Sequence, residues 1–174
     1  MTLRSKLRSL RSQYVFPTVR LAIAAANRRA PHAFRIVHFS AQADHVHLVV
    51  EALDKRALSA GMRGLAVRIA RRVNRLVFRR GALWADRWHG RALTTPRAVR
   101  HAIVYVLNNF RKHHPTNRAP LDPFSSSPYF DDCHGRVDNP EGDEHRGSAG
   151  AARRRRGALS GSERRAAVGW GAVR

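Results

Sequence analysis

The sequence has little of three things, and each shortage excludes a class of protein. Its only cysteine is Cys133, so neither an internal disulfide nor a cysteine-based zinc site can form. No apolar run approaches the ~20 residues that a membrane-spanning helix needs, and the basic N-terminal stretch does not look like a secretion signal. We therefore expect a cytoplasmic protein with no membrane partner. Acidic residues are scarce as well.

The resulting positive charge is the strongest property of the chain. Against 33 Lys and Arg there are only 12 Asp and Glu, which gives a formal net charge of +21 over 174 residues. Such a surface repels itself unless a polyanion neutralises it, so nucleic acid is the expected partner. Hydrophobic residues make up 43% of the chain, enough for one domain with a core.

Hydrophobic periodicity divides the chain into a patterned part, residues 1–114, and a part without a pattern. The patterned part predicts the order β-α-β-β-α-β-α, which fits an α+β fold with an antiparallel sheet and packed helices. The second and third strands are separated by a short linker and should pair as an antiparallel hairpin. The predicted strands lie within 2–12, at 34–40, at 45–51 and within 83–94, and the helices over 14–29, 58–78 and 96–113.

The ends of the last helix and the region beyond it carry their own signals. Thr95 is the predicted N-cap, with Pro96 at the first helical position. Residues 115–133 are expected to form an ordered extension packed on the core through Phe124, Tyr129 and Phe130. From residue 134 to residue 174, Gly, Arg and Ala dominate, which predicts a basic, disordered tail.

The stretch ADHVHLVVE, residues 43–51, puts two histidines two positions apart in an apolar strand. Residues i and i+2 of a strand project from the same face, so His45 and His47 present two imidazoles side by side. Such a pair can hold one divalent cation and leave coordination positions for a substrate oxygen. Because the chain has 10 histidines, a chance pair without a function is an equal alternative.

A second candidate group lies on the last helix, in RHAIVYVLNNFRKHH (100–114). Tyr105 and Asn109 are one turn apart at the flank of the buried face. A phenol there can attack a DNA phosphorus, displace a 3′-OH and leave a 5′-phosphotyrosine, and Asn109 could complete a metal site that withdraws charge from the phosphate. Spacing alone favours the plainer interpretation, a packing tyrosine beside a surface amide.

Taken in order, these segments resemble a known family. DHVHLVVE, a long basic helix, LWADRWHGRAL and YVLNNFRKH are similar to the IS200-like, single-tyrosine transposases, above all to the REP-associated tyrosine transposases. The resemblance covers about residues 1–114. In it, His45 and His47 match the family's His-hydrophobic-His motif, Tyr105 its nucleophile and Asn109 its polar third metal ligand. Phe110 stands where relatives often have proline, so the helix can continue here.

The resemblance implies a fold, a cofactor and an activity. The fold is a ferredoxin-like antiparallel sheet with packed helices of the HUH endonuclease type. The cofactor is a Mg²⁺ or Mn²⁺ ion on His45, His47 and Asn109, and the activity is nicking and strand transfer of single-stranded DNA at the foot of hairpins, catalysed by Tyr105 with the two histidines. Members act as monomers or as homodimers that exchange their tyrosines, and the spacing does not choose between these.

Other side chains are candidates for DNA contact. The long helix carries arginines without balancing glutamates, which predicts a phosphate track of Arg68, Arg71, Arg72 and Arg75. Trp88 could stack an unpaired base and Arg91 could reach a phosphate. The main alternative is a non-catalytic, domesticated DNA- or RNA-binding protein. A phosphodiesterase that uses the histidine pair with water as nucleophile is a third.

Overall fold

The computed structural model describes residues 1–3, 9–113, 119–129 and 166–169. The fold is α+β: an antiparallel sheet carries helices on both of its faces, as the sequence pattern predicts in outline. The order of strands across the sheet is β1-β2-β4-β3. In chain order the elements are α1 (Phe16–Arg29), β1 (Phe34–Ala41), β2 (Val46–Ala52), α2 (Lys55–Leu76), β3 (Arg91–Leu93), α3 (Pro96–His113), a 3₁₀ turn (Ser127–Tyr129) and β4 (Ala166–Gly169).

β1 and β2 form the predicted antiparallel hairpin, and a bulge sets the faces of β1. The register shifts between Ile36 and His38, so Val37 is an extra residue in β1. Because of this extra residue, apolar side chains before and after the bulge join one core, namely Phe34, Ile36, Phe39 and Ala41. His38 and Ser40 are therefore turned toward the opposite face of the sheet.

The sheet separates two hydrophobic clusters, and this separation decides which side chains can meet. α1 and α2 pack on one face, where Val46, Leu48 and Val50 of β2 join the larger core. α3 packs on the other face, where Val49 of β2 meets Val106. Since alternate residues of a strand point to opposite faces, His47 lies on the α3 side.

The predicted helix starts are confirmed to within a turn. α3 begins at Pro96, and the Thr95 hydroxyl accepts a hydrogen bond from the Ala98 N–H at 3.1 Å, which confirms the predicted N-cap. α2 begins at Lys55, earlier than the apolar stripe predicts. The reason is an unforeseen cap: the Asp54 carboxylate accepts from the Ala57 N–H at 2.6 Å.

Strand pairing departs from the prediction near the N-terminus and within residues 83–94. In place of a first strand within 2–12, the described part shows isolated bridges from Thr2 to His45 and from Leu3 to Trp84, and residues 4–8 lie outside the described residues. Within 83–94 only β3 and the Trp84 bridge form.

β4 comes from the segment for which the composition predicts disorder, and it lies between β2 and β3. The prediction does not hold for AAVG, because these uncharged residues supply backbone groups to both neighbouring strands. The remainder of residues 134–174 lies outside the described residues.

Residues 119–129 lie along the outer edge of β1. The Ala41 N–H donates to the Phe124 carbonyl at 2.9 Å, and the Ser126 N–H donates to the Phe39 carbonyl at 2.9 Å. Phe124 packs against the larger core, as predicted. Tyr129 does not, because it is 66% exposed and accepts a hydrogen bond from Arg20. Phe130, the third predicted anchor, lies outside the described residues.

A buried ion pair fixes this segment to the rest of the protein. Both Nη atoms of Arg11 donate to the two carboxylate oxygens of Asp122 at 2.9 Å, and the side chains are 8% and 0% exposed. Arg11 also donates to the Ala41 carbonyl at 2.9 Å. Removing either partner would leave an uncompensated charge in the interior, which costs far more than the intact pair contributes.

We expect Asp122→Ala to lower the free energy of unfolding by about 3–5 kcal/mol, because it leaves the Arg11 guanidinium buried without a counter-charge. Urea unfolding measures the loss. The control is Glu51→Gln, in the pair with Arg35 whose side chains are 52% and 29% exposed; it should cost less than about 1 kcal/mol. Equal, small losses in both variants would contradict the account.

Candidate active site

The two histidine side chains converge on one point beside α3. The Nε2 atoms of His45 and His47 are 3.0 Å apart, and the rings meet edge-on at 88° with centroids 4.7 Å apart. His47 is 2% exposed and His45 is 9% exposed. The predicted side-by-side arrangement of the imidazoles is confirmed.

Asp44 orients the first of these rings. Its Oδ1 lies 2.7 Å from His45 Nδ1 and accepts the Nδ1 proton, so a neutral His45 carries its lone pair on Nε2, the atom that faces His47. A carboxylate behind the ligating imidazole is a common support of metal-binding histidines. The sequence pattern does not single out Asp44, although its position directly before the motif is a signal that was available.

The geometry fits a divalent cation. Two nitrogens at right angles around an ion, each about 2.1 Å from it, are about 3.0 Å apart, which is the separation of the two Nε2 atoms. Among the described residues no group of three or more His, Cys, Asp or Glu side chains could hold a metal ion. Within the described residues, further ligands to such an ion would be amide oxygens, with water or substrate oxygens beside them.

Tyr105 lies against the histidine pair in the same chain. Its ring centroid is 5.4 Å from that of His47, with the ring planes at 82°. The side chain is 39% exposed, so one side of the phenol packs on the imidazole while the other is open to solvent. The phenol is therefore open to a group approaching from solvent, and it adjoins the buried histidine pair.

Asn109, one helical turn after Tyr105, is a buried amide with no hydrogen-bond partner among the described residues. The side chain is only 2% exposed, and within the described part of the chain neither its Oδ1 nor its Nδ2 has a hydrogen-bond partner. A buried amide without partners is costly, and a bound ion is one explanation for it. The spacing places this amide on the stripe of α3 that carries Tyr105, so the donor set suits a cation held by His45, His47 and Asn109.

Gln42 is a second buried amide on this face, and the sequence pattern did not single it out. Its N–H donates to the His45 carbonyl at 2.8 Å, and its Nε2 donates to Ser40 Oγ at 2.8 Å. Ser40 is the cross-strand partner of His47, and cross-strand partners share a face. Ser40 in turn lies 3.3 Å from Asp122 Oδ2, which can only accept, so the Gln42 amide must donate to Ser40. Gln42 Oε1 is left as a buried acceptor with no donor among the described residues.

Lys112 adds positive charge next to the phenol. Its Nζ lies 5.1 Å from the Tyr105 ring centroid. Lys112 stands two turns after Tyr105 on α3, so the same stripe carries the phenol, the buried amide and a cation. Sequence reasoning missed this lysine because the helix end is crowded with basic residues.

The pKa values of His38 and Asp86, which lie on the elements around the site, are shifted. Burial lowers the pKa of His38, which is 5% exposed on the α3 side of β1. Burial alone would raise the pKa of Asp86, but hydrogen bonds from the N–H and hydroxyl of Thr2, with nearby positive charge, lower it below its usual value. Asp86 thereby holds the strand-like segment that bridges to His45.

The predicted phosphate track does not lie beside this site. It belongs to α2, on the opposite face of the sheet from α3. Arg71, Arg72 and Arg75 are exposed and Arg68 is half-buried, and within the described residues no carboxylate pairs with any of them. Arg68 and Arg71 line a groove of about 610 Å³ between α1 and α2, together with Arg29, Arg63 and small side chains. The arginines can bind a polyanion. A polyanion that contacts both these arginines and the histidine pair must pass around the edge of the sheet.

The other two predicted DNA contacts differ in their surroundings. Trp88 is half-buried and packs against the larger core, so most of its ring is engaged inside the protein. Arg91 is exposed on β3. Trp84 is half-buried against the same core, with its indole N–H donating to the Ala66 carbonyl at 3.0 Å.

No family model, curated protein or solved structure matches this chain. In the part of the chain that the structure describes, none of the helices combines the length and the apolar character needed to cross a membrane.

Asn109→Leu separates stability from metal binding. Replacing a buried, unpartnered amide by an apolar group of similar size should raise the free energy of unfolding of the metal-free protein by about 1–3 kcal/mol. The same change should weaken Mn²⁺ binding at least about tenfold, because it removes an oxygen ligand. Urea unfolding and isothermal titration calorimetry measure the two effects.

The matched control is Asn108→Leu, the exposed neighbour on the same helix, which should change neither quantity appreciably. An Asn109→Leu protein that is less stable than the wild type, or that binds Mn²⁺ as tightly, would show that the amide has another role.

Proposed function

We propose that this protein is a metal-dependent nickase and strand transferase for single-stranded DNA, acting through a 5′-phosphotyrosine intermediate on Tyr105. The observation that carries the proposal is the 5.4 Å contact between the Tyr105 and His47 rings, beside two imidazole nitrogens that converge at 3.0 Å. The histidines lie at the start of β2 and the tyrosine lies on α3, far apart in the sequence. The IS200-like resemblance of the sequence points to the same chemistry.

The proposed reaction has two steps, the attack of Tyr105 on the DNA and the transfer of the DNA to a new 3′-OH. The Tyr105 oxygen attacks the phosphorus, the bond to the 3′ oxygen breaks, and the phenolic proton passes to solvent while the leaving oxygen takes one up. The attack of a new 3′-OH on the phosphotyrosine reverses these steps and releases the tyrosine, so the energy of the broken bond is kept. Lys112 stands where it can offset the charge of the phosphate.

A Mg²⁺ or Mn²⁺ ion on His45, His47 and the Asn109 amide would supply Lewis-acid stabilisation of the phosphate oxygens. The protein's own contribution is to hold the ligands ready: Asp44 fixes the His45 tautomer, and the β1–β2 pairing fixes the distance between the rings. Burial of His47 and Asn109 keeps competing water away from that side of the site.

We further propose that the fold is of the ferredoxin-like, HUH endonuclease type. Two features support this assignment: the histidine pair lies at the start of β2, a strand inside the sheet, and the tyrosine lies on the helix that covers that face. Because one chain supplies the histidines, the amide and the phenol, a monomer is sufficient for the proposed site. A homodimer is not required for it.

The decisive variant is Tyr105→Phe. Wild-type protein with Mn²⁺ and a single-stranded hairpin oligonucleotide should give a covalent protein–DNA adduct that survives denaturing electrophoresis. Tyr105→Phe should give no adduct while its affinity for the oligonucleotide stays within about twofold, because the aromatic ring is kept and only the attacking oxygen is lost.

The matched control is Tyr129→Phe, since Tyr129 is also exposed but its hydroxyl accepts a hydrogen bond from Arg20 of α1, a helix on the other face of the sheet; its adduct should form normally. An adduct that persists in Tyr105→Phe would exclude this nucleophile. Absence of an adduct in the wild type with both Mg²⁺ and Mn²⁺ would exclude the proposed enzyme.

A non-catalytic nucleic-acid-binding protein is the second candidate, and one observation favours it. The exposed arginines of α2 lie on the other face of the sheet from the histidine pair, so this surface can bind a polyanion without the site. The two functions are compatible in one chain, and the adduct experiment distinguishes an enzyme that binds DNA from a protein that only binds it.

The arginine surface has its own test. Replacing Arg71 and Arg75 by glutamine should lower the affinity for single-stranded DNA and reduce the slope of log K against log salt by about 1.4, since each lost phosphate contact removes about 0.7. Filter binding over a range of NaCl concentrations measures the slope. The control replaces Arg97 and Arg100, exposed on α3, by glutamine. An unchanged slope in the Arg71, Arg75 variant would contradict the phosphate track.

A further inference from the structure

The chain leaves α2 through a residue in an unusual conformation. Phe78 has a φ of 53°, in the left-handed region, and it is the one non-glycine residue with positive φ in the described part of the chain. Its side chain is 97% exposed. A bulky residue in this region is rare and costs free energy that glycine would not.

The backbone requires this conformation whatever the side chain is. The Arg79 N–H donates to the Asn74 carbonyl at 2.8 Å, and the Phe78 N–H lies 3.4 Å from the Arg75 carbonyl. These two bonds form a Schellman motif, in which the position occupied by Phe78 is usually glycine. The ring packs on nothing that would repay its strain, since it is almost wholly in solvent.

Arginines precede and follow Phe78 in the sequence. α2 contains lysine and arginine but no acidic residue, and Arg75 and Arg80, three residues before and two residues after Phe78, are exposed. Arg79 follows directly, and its Nη1 is buried without a hydrogen-bond partner among the described residues. An exposed aromatic ring with exposed arginines close to it in the sequence matches a nucleotide, which offers a flat base and a phosphate together.

We propose that Phe78 is a stacking platform for an unpaired nucleobase, with Arg75 and Arg80 contacting the adjoining phosphates. The inference rests on the proposed function only in taking single-stranded DNA as the polymer. A single ring offers far less apolar area than the roughly 800 Å² per partner of a standard protein interface. It is enough for one base, because stacking uses one face of the ring.

The experiment compares stability with affinity in the full chain. Phe78→Gly should raise the thermal midpoint, because glycine adopts the left-handed conformation without strain. The same variant should bind a single-stranded oligonucleotide containing 2-aminopurine about 5- to 100-fold more weakly, with less quenching of the base fluorescence on binding. Its affinity for a blunt duplex of the same length should stay unchanged, because paired bases are not available for stacking.

Two further variants isolate the role of the ring. Phe78→Trp should keep both affinity and quenching, whereas Phe78→Leu should lose quenching while it keeps an apolar side chain. Leu21→Ala, at a residue that is 54% exposed on α1, is the control and should leave single-strand binding as it is.

Wild-type affinity and quenching in Phe78→Gly would overturn the proposal. So would equal losses for the single strand and the duplex, which would point to phosphate contacts alone. If the wild type forms no adduct but the Phe78 effects appear as described, the stacking site stands and the proposed enzyme fails. If the adduct depends on Tyr105 but Phe78→Gly binds normally, the enzyme stands and this inference fails.

Discussion

The antiparallel pairing of β1 with β2 is the constraint on which the rest of the structure depends. It sets Ser40 opposite His47 and turns both toward α3, and the bulge at Val37 keeps the apolar residues of β1 on the other face. The connection between the strands carries Asp44, which orients His45. Because α3 covers this face, its stripe with Tyr105 and Asn109 faces the sheet, and Tyr105 contacts His47. The geometry of the candidate site follows from backbone pairing rather than from the site residues themselves.

The division of the sheet into two faces explains how one small domain can carry separate surfaces. The α3 face holds three buried imidazoles (His38, His45 and His47) and two buried amides whose oxygens have no partner among the described residues, with a part-exposed phenol at the edge. The α1–α2 face holds an apolar core under an arginine-covered helix. The first arrangement suits chemistry on one phosphate, and the second suits sequence-independent attraction of a polyanion. A strand of nucleic acid has to bend around the sheet to use both.

Much of the fold and part of the site could be predicted from the sequence. Period-2 alternation located β1 and β2, and the Thr95-Pro96 pair located the start of α3, because both signals are local. The i, i+2 rule placed His45 and His47 together. The contact of His47 with Tyr105, and the burial of Gln42 and Asn109, could not be predicted from spacing, since they depend on which face of the sheet α3 covers. β4 was not predicted for a similar reason. It has only four residues, which pair through the backbone, so the sequence shows no alternating side-chain pattern there.

The proposed chemistry depends on a cation held between the two imidazoles beside the phenol, and a Mn²⁺-soaked crystal tests this most directly. Anomalous difference density should show one ion within about 2.0–2.3 Å of both His45 Nε2 and His47 Nε2, with the Asn109 amide oxygen as a further ligand. Strong density elsewhere, with none between the histidines at millimolar Mn²⁺, would contradict it. The contact between the two Nε2 atoms would then be a hydrogen bond rather than a metal site, and Tyr105 would have no activated phosphate to attack.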